Sequence, residues 1–384
     1  MKTVQNNETK KNYKYVVSLD AHKRTYSMKI QNTFNKQVLF NGGIAGDIKE
    51  VISRINIFNL PKKDVVVLYE AGCVGFHPHA ALKKQGYHCL VIAPSSIPYN
   101  NRNKKTDKHD CKDNLNYHLS GILRYVTVPD DTTIQLREMY RYRDSLVEEI
   151  RRKQQHISAF TLRNGFIFKE TKSDWSAKHR KWLKGLELDP ILKSTLDFML
   201  ADLEHIELTL DKTERQIDQY ISVEPVLKRN VDALKLLPGI GSITSQGIVL
   251  ECGDLNKFGK AIQVPQFLGL VPGKQQSGSR DPALAITKEG NKNARRLMIS
   301  ASKFYGDQRR LYSEKELDAL PATIAEFIKR MQDRLNERYR NLKCRGKHIN
   351  KVRCAIAREL AMFIWDYMVH IVPNCQIEPL KKVA

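Results

Sequence analysis

Four carboxylates stand where the ends of strands and a helix would bring them together. Asp20 closes the apolar run YVVSLD, Glu70 closes VVVLYE, and Asp107 and Asp110 fall in KTDKHD at what reads as a helix start. Residues three apart share one face of a helix, so Asp107 and Asp110 can point to a common site. Carboxylates converging within a few ångströms repel unless cations neutralise them. Paired Mg²⁺ ions, about 4 Å apart, do this and also activate the attacking and leaving oxygens of phosphoryl transfer. Taken singly, each acid has a plainer reading: a strand-end Asp as a turn residue, Asp107 as an N-cap, Asp110 as a first-turn charge on the helix dipole. The whole set, in this order, is what points to a metal site. Asp113, three residues further on, is the rival ligand. Lys104, Lys105, Lys108 and His109 surround the last two acids and suit a passing phosphate backbone, although simple charge balance explains any one of them. His77 and His79 in GFHPHA have no Cys or His partner at fixed spacing and read as helix-start residues.

Two further stretches carry chemistry. LLPGIGSITSQGIVL (236–250) reads as a helix–hairpin–helix turn, in which Gly239 and Gly241 allow a tight bend and the next helix's free N–H groups can grip a phosphate. A plain helix–helix connection is the alternative. Then FLGLVPGKQQSGSRDPALAITKEGNKNARRLM presents Ser277 beside Gly278, with Lys288, Arg295 and Arg296 following at a helix start. Serine is a weak nucleophile unless its proton is removed, and no Ser-His-Asp arrangement lies nearby. From composition alone Ser277 reads as a loop hydroxyl, and Ser279 is as good a candidate.

The elements that must position these residues follow from periodicity. Residues 1–13 read as a disordered leader. Residues 14–128 alternate β-rich runs with amphipathic helices: strands at YKYVVSLD, TYSMKIQ and KQVLFN, a helix near 45–57, strands at 65–70 and 88–92, and helices near 77–85 and 107–121. Three meandering strands followed by helix–strand units predict an RNase H-like (RuvC-like) α/β domain. A Rossmann or flavodoxin-like sheet fits less well, because no glycine-rich phosphate loop follows the first strand. Residues 129–228 predict an α-helical coiled-coil middle, with a seam at Leu192, Leu196, Met199, Leu203, Ile206, Leu210, Thr213, Ile217 and Tyr220. An earlier helix carries Leu136, Met139, Leu146, Ile150, Ile157 and Phe160 on one face. The two helices could pair within one chain or between chains. Residues 229–384 predict a mainly α-helical C-terminal domain with the hairpin-like turn, the serine loop and a basic helical tail.

Composition bounds the partners. Over 384 residues, 64 Lys and Arg stand against 42 Asp and Glu, a net charge of +22 spread over every segment, which predicts a polyanionic partner, nucleic acid first. The N-terminus is polar, without a signal-peptide pattern, and no long apolar run predicts a membrane span. Seven scattered cysteines without a CxxC pair fit a reducing cytoplasm.

These motifs, in this order, resemble the DEDD-type insertion-sequence transposases of the IS110 family, understood as bridge-RNA-guided recombinases. The resemblance rests on the SLD strand, YEAG, KTDKHD, LPGIG, FLGLVP, the SG loop and ITKEGNKNARR, and it covers nearly the whole chain. It implies Mg²⁺ at Asp20, Glu70, Asp107 and Asp110, and a nucleophilic serine that falls on Ser277. The family often shows an SSGG-type loop, where this chain has Gln276-Ser277-Gly278-Ser279. The resemblance further implies donor and target DNA as substrates, a structured bridge RNA from the element's non-coding flank, and a dimer or tetramer in a bacterial or archaeal cytoplasm, at the nucleoid. A Holliday junction resolvase-like nuclease, which needs the acids but no serine, is the competing expectation. A nucleic-acid-binding scaffold with structural acids is a further one.

Overall fold

The computed structural model describes residues 13–98, 107–170, 175–273, 285–306 and 312–375. The chain divides into two compact units, residues 1–129 with 256–290, and residues 130–255 with 291–384.

The first unit opens with β1 (Tyr15–Ala21), β2 (Thr25–Asn32) and β3 (Val38–Ala45), an antiparallel meander. Helix α1 (Ile48–Ile57) leads to β4 (Val65–Glu70), and α2 (His77–Lys84) to β5 (His88–Ile92); α3 (Asp107–Leu119) follows. The sheet order is β3-β2-β1-β4-β5, with β4 parallel to β1 and β5 parallel to β4. A mixed sheet with only its second strand reversed is the RNase H-like arrangement. The sequence explains the centre of the sheet. Strand β4 is covered on both faces, and its unbroken run VVVLY is buried throughout. On one face Val17, Leu19, Val67 and Tyr69 pack with Ile48, Val51 and Ile55 of α1 and Leu82 of α2. On the other, Val16, Val66 and Leu68 pack with Leu115 of α3. Each such fully buried aliphatic side chain contributes roughly 1.5–3 kcal/mol.

The second unit is helical. Helix α4 (Asp131–Arg163) is followed by the short α5 (Ala177–Lys184), α6 (Pro190–Val223), α7 (Pro225–Lys235) and α8 (Ser242–Cys252). Helices α4 and α6 pack against each other within the chain, running antiparallel: Lys153 meets Asp202 at 2.6 Å and Arg143 meets Glu214 at 2.7 Å. Ile157 and Phe160 of α4 bury against Leu196, Leu200 and Leu203 of α6. Of the positions expected on the α6 seam, Leu196, Leu203, Thr213 and Ile217 are buried, while the last is not: Tyr220 is 49% exposed and Ile221 is buried instead. A straight helix has 3.6 residues per turn, so a strict seven-residue repeat drifts off the contact line over several turns.

Between residues 256 and 290 lies an excursion with one short helix, α9 (Gln263–Phe267). Helix α10 (Lys292–Ser302) then resumes the helical unit, followed by α11 (Glu314–Asp318), α12 (Ala322–Cys344) and α13 (Ile349–Asp366). Ser313 and Glu316 form a capping box on α11. Among the described residues no helix is long and apolar enough to cross a membrane.

Candidate active site

Register decides where the strand-end acids go. Leu19 lies beside Tyr69 in the parallel pair, so the next step places Asp20 beside Glu70 at the carboxyl ends of β1 and β4. Side chains alternate along a strand. Leu19 and Tyr69 point into the core under α1 and α2, so Asp20 and Glu70 face the opposite side, with Val16, Ser18, Val66 and Leu68. That is the side α3 covers. The Cys111 thiol of α3 lies 3.1 Å from the Ser27 carbonyl oxygen, and Ser27 is the cross-strand partner of Asp20. The first turn of α3, which carries Asp110 and begins at residue 107, is thereby tied to the strand pair that ends in Asp20. Asp20, Glu70 and Asp110 are all half-buried. Asp113 is half-buried on the same helix.

Sequence reasoning missed two neighbours of this site. His22, in the turn after β1, holds its Nε2 3.2 Å from an Asp20 carboxylate oxygen. The signal was present as an acid and an imidazole two residues apart at a strand end. Tyr69, wholly buried, donates its hydroxyl to the Gly75 carbonyl at 3.0 Å and so fixes the loop that follows Glu70. Burial raises the Tyr69 pKa, which keeps that donor protonated. His77 and His79 sit in the first turn of α2, as expected.

The donor set suits a hard divalent cation, since the residues gathered here offer carboxylate oxygens from adjacent strand ends. The side chains of Asp107 and Lys108, like residues Lys104 and Lys105, lie outside the described residues. Among the described residues no three His, Cys, Asp or Glu side chains form a metal-holding group.

The serine motif also lies outside them: Gln276, Ser277, Gly278 and Ser279 fall in 274–284. The stem that leads into and out of that segment is described. Gly273 N–H donates to the Ala285 carbonyl at 2.9 Å, Thr287 N–H to Val271 at 2.9 Å, and Lys288 N–H to Gly269 at 3.1 Å. Two glycines let the arms approach. Gly269 has φ +63° and Gly290 φ +116°, and a Cβ at Gly290 would collide with the Phe267 carbonyl. Lys288 is exposed and itself takes φ +57°.

In the helical unit, α7 and α8 are joined by the PGIG turn. Gly239 has φ +79°, and a Cβ there would stand 2.6 Å from Phe304, so packing as well as turn geometry requires glycine. Gly241 is the N-cap of α8, exposed, with open space around it. Arg295 is half-buried, while Arg296 is exposed and pairs with Asp144 of α4.

One buried acid had no forecast. Glu251, near the end of α8, has a fully buried side chain. It accepts from Arg141 through two bonds of 2.8 and 2.9 Å, from the Asn291 amide at 2.7 Å and from the Asn293 amide at 3.0 Å. Asn291 also donates to the Glu251 carbonyl oxygen at 3.2 Å and caps α10 through Asn293 N–H and Ala294 N–H. Burial raises the Glu251 pKa, but the hydrogen bonds from Arg141, Asn291 and Asn293 outweigh it and hold the carboxyl below its ordinary value. The two asparagines of EGNKNARR therefore anchor a helix to a carboxylate.

A sheet of this topology with acids at its strand ends, joined to a helical remainder, defines a class of DNA-processing enzyme, and comparison with known proteins supports that class. A DEDD transposase profile of the IS110 type matches residues 17–166. A profile of the transposase IS116/IS110/IS902 family matches residues 231–308. A putative transposase, y4qE, of Sinorhizobium fredii is 30% identical over 329 residues, covering 85% of this chain and 79% of that protein. The transposase for insertion sequence element IS1533 of Leptospira borgpetersenii is 25% identical, covering 88% of this chain and 99% of that one. The transposase for IS1328 of Yersinia enterocolitica is 22% identical over 76% and 80% of the two chains. This chain belongs to the IS110 family of DEDD insertion-sequence transposases.

Proposed function

We propose that this transposase cuts and rejoins DNA through a serine–DNA covalent intermediate, at a site whose acids Asp20, Glu70, Asp107 and Asp110 hold Mg²⁺. The observation that carries the proposal is the placement of Asp20 and Glu70 side by side on the sheet face that α3 covers. Bound there, divalent cations would neutralise the carboxylates and polarise the phosphate oxygens. The chain's own residues supply the rest. The acids orient the phosphodiester. Ser277, or Ser279 in the neighbouring position, attacks phosphorus through its hydroxyl oxygen, which loses its proton. A phosphoserine bond forms, one P–O bond of the DNA breaks, and the departing strand oxygen gains a proton. Attack by another strand's hydroxyl then reverses the step. Bond energy is conserved throughout, so no nucleotide triphosphate is consumed.

Lys105, Lys108, Lys288, Arg295 and Arg296, with the turn at Gly239 and Gly241, of which Gly241 is exposed, would contact backbone phosphates, which fix register without reading sequence. Target choice would come from a structured bridge RNA paired with donor and target DNA, leaving backbone and shape to the protein. The working form would be a dimer or tetramer in the cytoplasm, at the nucleoid. The RNase H-like frame also supports a second reading, a resolvase-like nuclease that uses water and forms no adduct.

Covalent trapping decides between the two. The protein is expressed with its element's flanking DNA, denatured in detergent, and DNA-linked peptides are mapped. A Mg²⁺-dependent adduct on Ser277, lost in Ser277→Ala and absent from Asp20→Asn, supports the serine mechanism; an adduct on Ser279 moves the nucleophile by two residues. Cleaved DNA without adduct, with cutting retained in Ser277→Ala, leaves the nuclease.

A further inference from the structure

Within the helical unit, α4 and the start of α10 enclose a cleft of about 640 Å³. Its charged lining comprises Arg141, Asp144, Glu148, Arg151, Lys292 and Arg296. Two of the four cations are already paired. Arg141 is clamped on buried Glu251, and Arg296 pairs with Asp144, which also holds Arg143 at 3.1 Å. Arg151 and Lys292 are both exposed and make no ion pair among the described residues. They stand on different helices yet face one cavity, an arrangement that favours an anion between them.

The shape narrows the class of anion. Arg141 and Arg151 are ten residues apart on one helix, about 15 Å at 1.5 Å per residue. A row of that length fits several consecutive phosphates better than a single small ion. No aromatic side chain lines the cleft among the described residues, so bases find no stacking platform there. The Arg141–Glu251 clamp also holds Asn291 and Asn293 at the start of α10, so the two walls are fixed relative to each other.

We propose that this cleft seats the sugar–phosphate backbone of a nucleic-acid strand, with Arg151 and Lys292 as phosphate ligands beside the Arg296 already assigned to phosphate contact, and Arg141 as a fixed wall charge. The inference rests on the reading of the chain as a transposase acting on DNA. Within the helical unit it adds α4, and Arg151 above all, to the phosphate contacts proposed for the PGIG turn and α10.

The test is salt-dependent binding of the full chain to two fluorescent probes, a DNA duplex from the element's end and a structured RNA hairpin. Removing one phosphate ligand lowers the slope of log K against log salt by about 0.9 on duplex DNA and about 0.7 on single strands. Arg151→Gln/Lys292→Gln should therefore flatten the slope by about 1.8 on the duplex, or by about 1.4 where a single strand is bound, on one of the probes, and the probe affected tells whether the strand is DNA or RNA. Lys184→Gln/Arg215→Gln removes the same charge from exposed positions of the same unit and should leave the slope nearly unchanged. If the cleft variant keeps the wild-type slope on both probes, the cleft assignment is wrong while the transposase reading stands. If wild-type protein binds neither probe, both fall together.

Discussion

Replacing Glu251 with alanine removes one carboxylate and leaves four side chains without it: Arg141, Asn291, Asn293 and Arg137, whose Nε lies 3.9 Å away. Breaking a buried ion pair from one side costs about 3–5 kcal/mol when the remaining charge stays buried. Arg141 is 41% exposed and can turn towards water, and Arg137, 11% exposed, keeps its hydrogen bond to the Leu250 carbonyl at 2.8 Å, which together move the expectation to the lower end of that range. The Asn291 and Asn293 amides lose their acceptor, and α10 loses the tether of its first turn. A loss of about 3 kcal/mol in a helical unit of this size lowers the melting temperature by about 6–12 °C. Circular dichroism melts, with urea titration to convert the shift to free energy, measure it. Glu251→Gln keeps the shape but presents an amide to groups that are all donors, and should cost about 1.5–3 kcal/mol, as for hydrogen bonds to a charged partner. The pH dependence gives an independent check. The folded carboxyl lies below its ordinary value, so its contribution is complete above the unfolded pKa, about 4.3, and is lost as pH falls through the folded value. The gap between wild type and Glu251→Gln should narrow in acid. A Glu251→Ala protein that melts within about 1 °C of wild type, on the same conversion, would refute the anchoring argument.

Other perturbations follow from the same geometry. The Ser18 hydroxyl is buried beneath α3 with no hydrogen-bond partner among the described residues, so Ser18→Ala should be neutral or stabilising by up to about 1 kcal/mol, read by urea midpoint. Lys29, the cross-strand partner of Ser18, is buried, and burial, with the Lys112 charge second, lowers its pKa. The charged form is therefore penalised below that lowered value, so Lys29→Met should raise the melting temperature at neutral pH, the gain fading as pH rises towards the ordinary lysine value of about 10.4. A melting temperature lower than wild type across the whole range would show that the lysine has a stabilising partner. Gly290→Ala forces a side chain into a backbone conformation that costs about 1–3 kcal/mol, and should speed amide exchange at Gly273, Thr287 and Lys288. Unchanged exchange would mean that the stem does not depend on this glycine.

What the sequence made legible was local or periodic. The run VVVLYE marks a strand buried on both faces, and the strand-end position of Asp20 follows from the apolar residues before it. The α3 start at Asp107 and the paired glycines of the PGIG turn were readable for the same reason. What was hidden depended on partners distant in the chain. Glu251 in LECGD looks like an ordinary polar residue near a helix end, because its main partner, Arg141, lies 110 residues away. The stem at 269–273 and 285–288 has no hairpin turn signal, since its arms are joined through 274–284. Whether α4 pairs within or between chains was open in the pattern; within this chain α4 packs on α6, with the ion pairs Lys153–Asp202 and Arg143–Glu214. Tyr220 was misplaced because an ideal seven-residue repeat was extended too far along a straight helix.

The clamp between Glu251 and the residues at the start of α10 also imposes an order of events during synthesis. Glu251 and Arg141 leave the ribosome early, but Asn291 follows Glu251 by 40 residues and Asn293 by 42. At about 5–20 residues per second, the carboxylate waits roughly 2–8 s for its remaining donors. During that interval the nascent chain must extrude the whole excursion that carries the serine motif. The helical unit therefore cannot close around its buried charge until translation has passed that motif, and a chain truncated within the excursion leaves the carboxylate without its two asparagine donors.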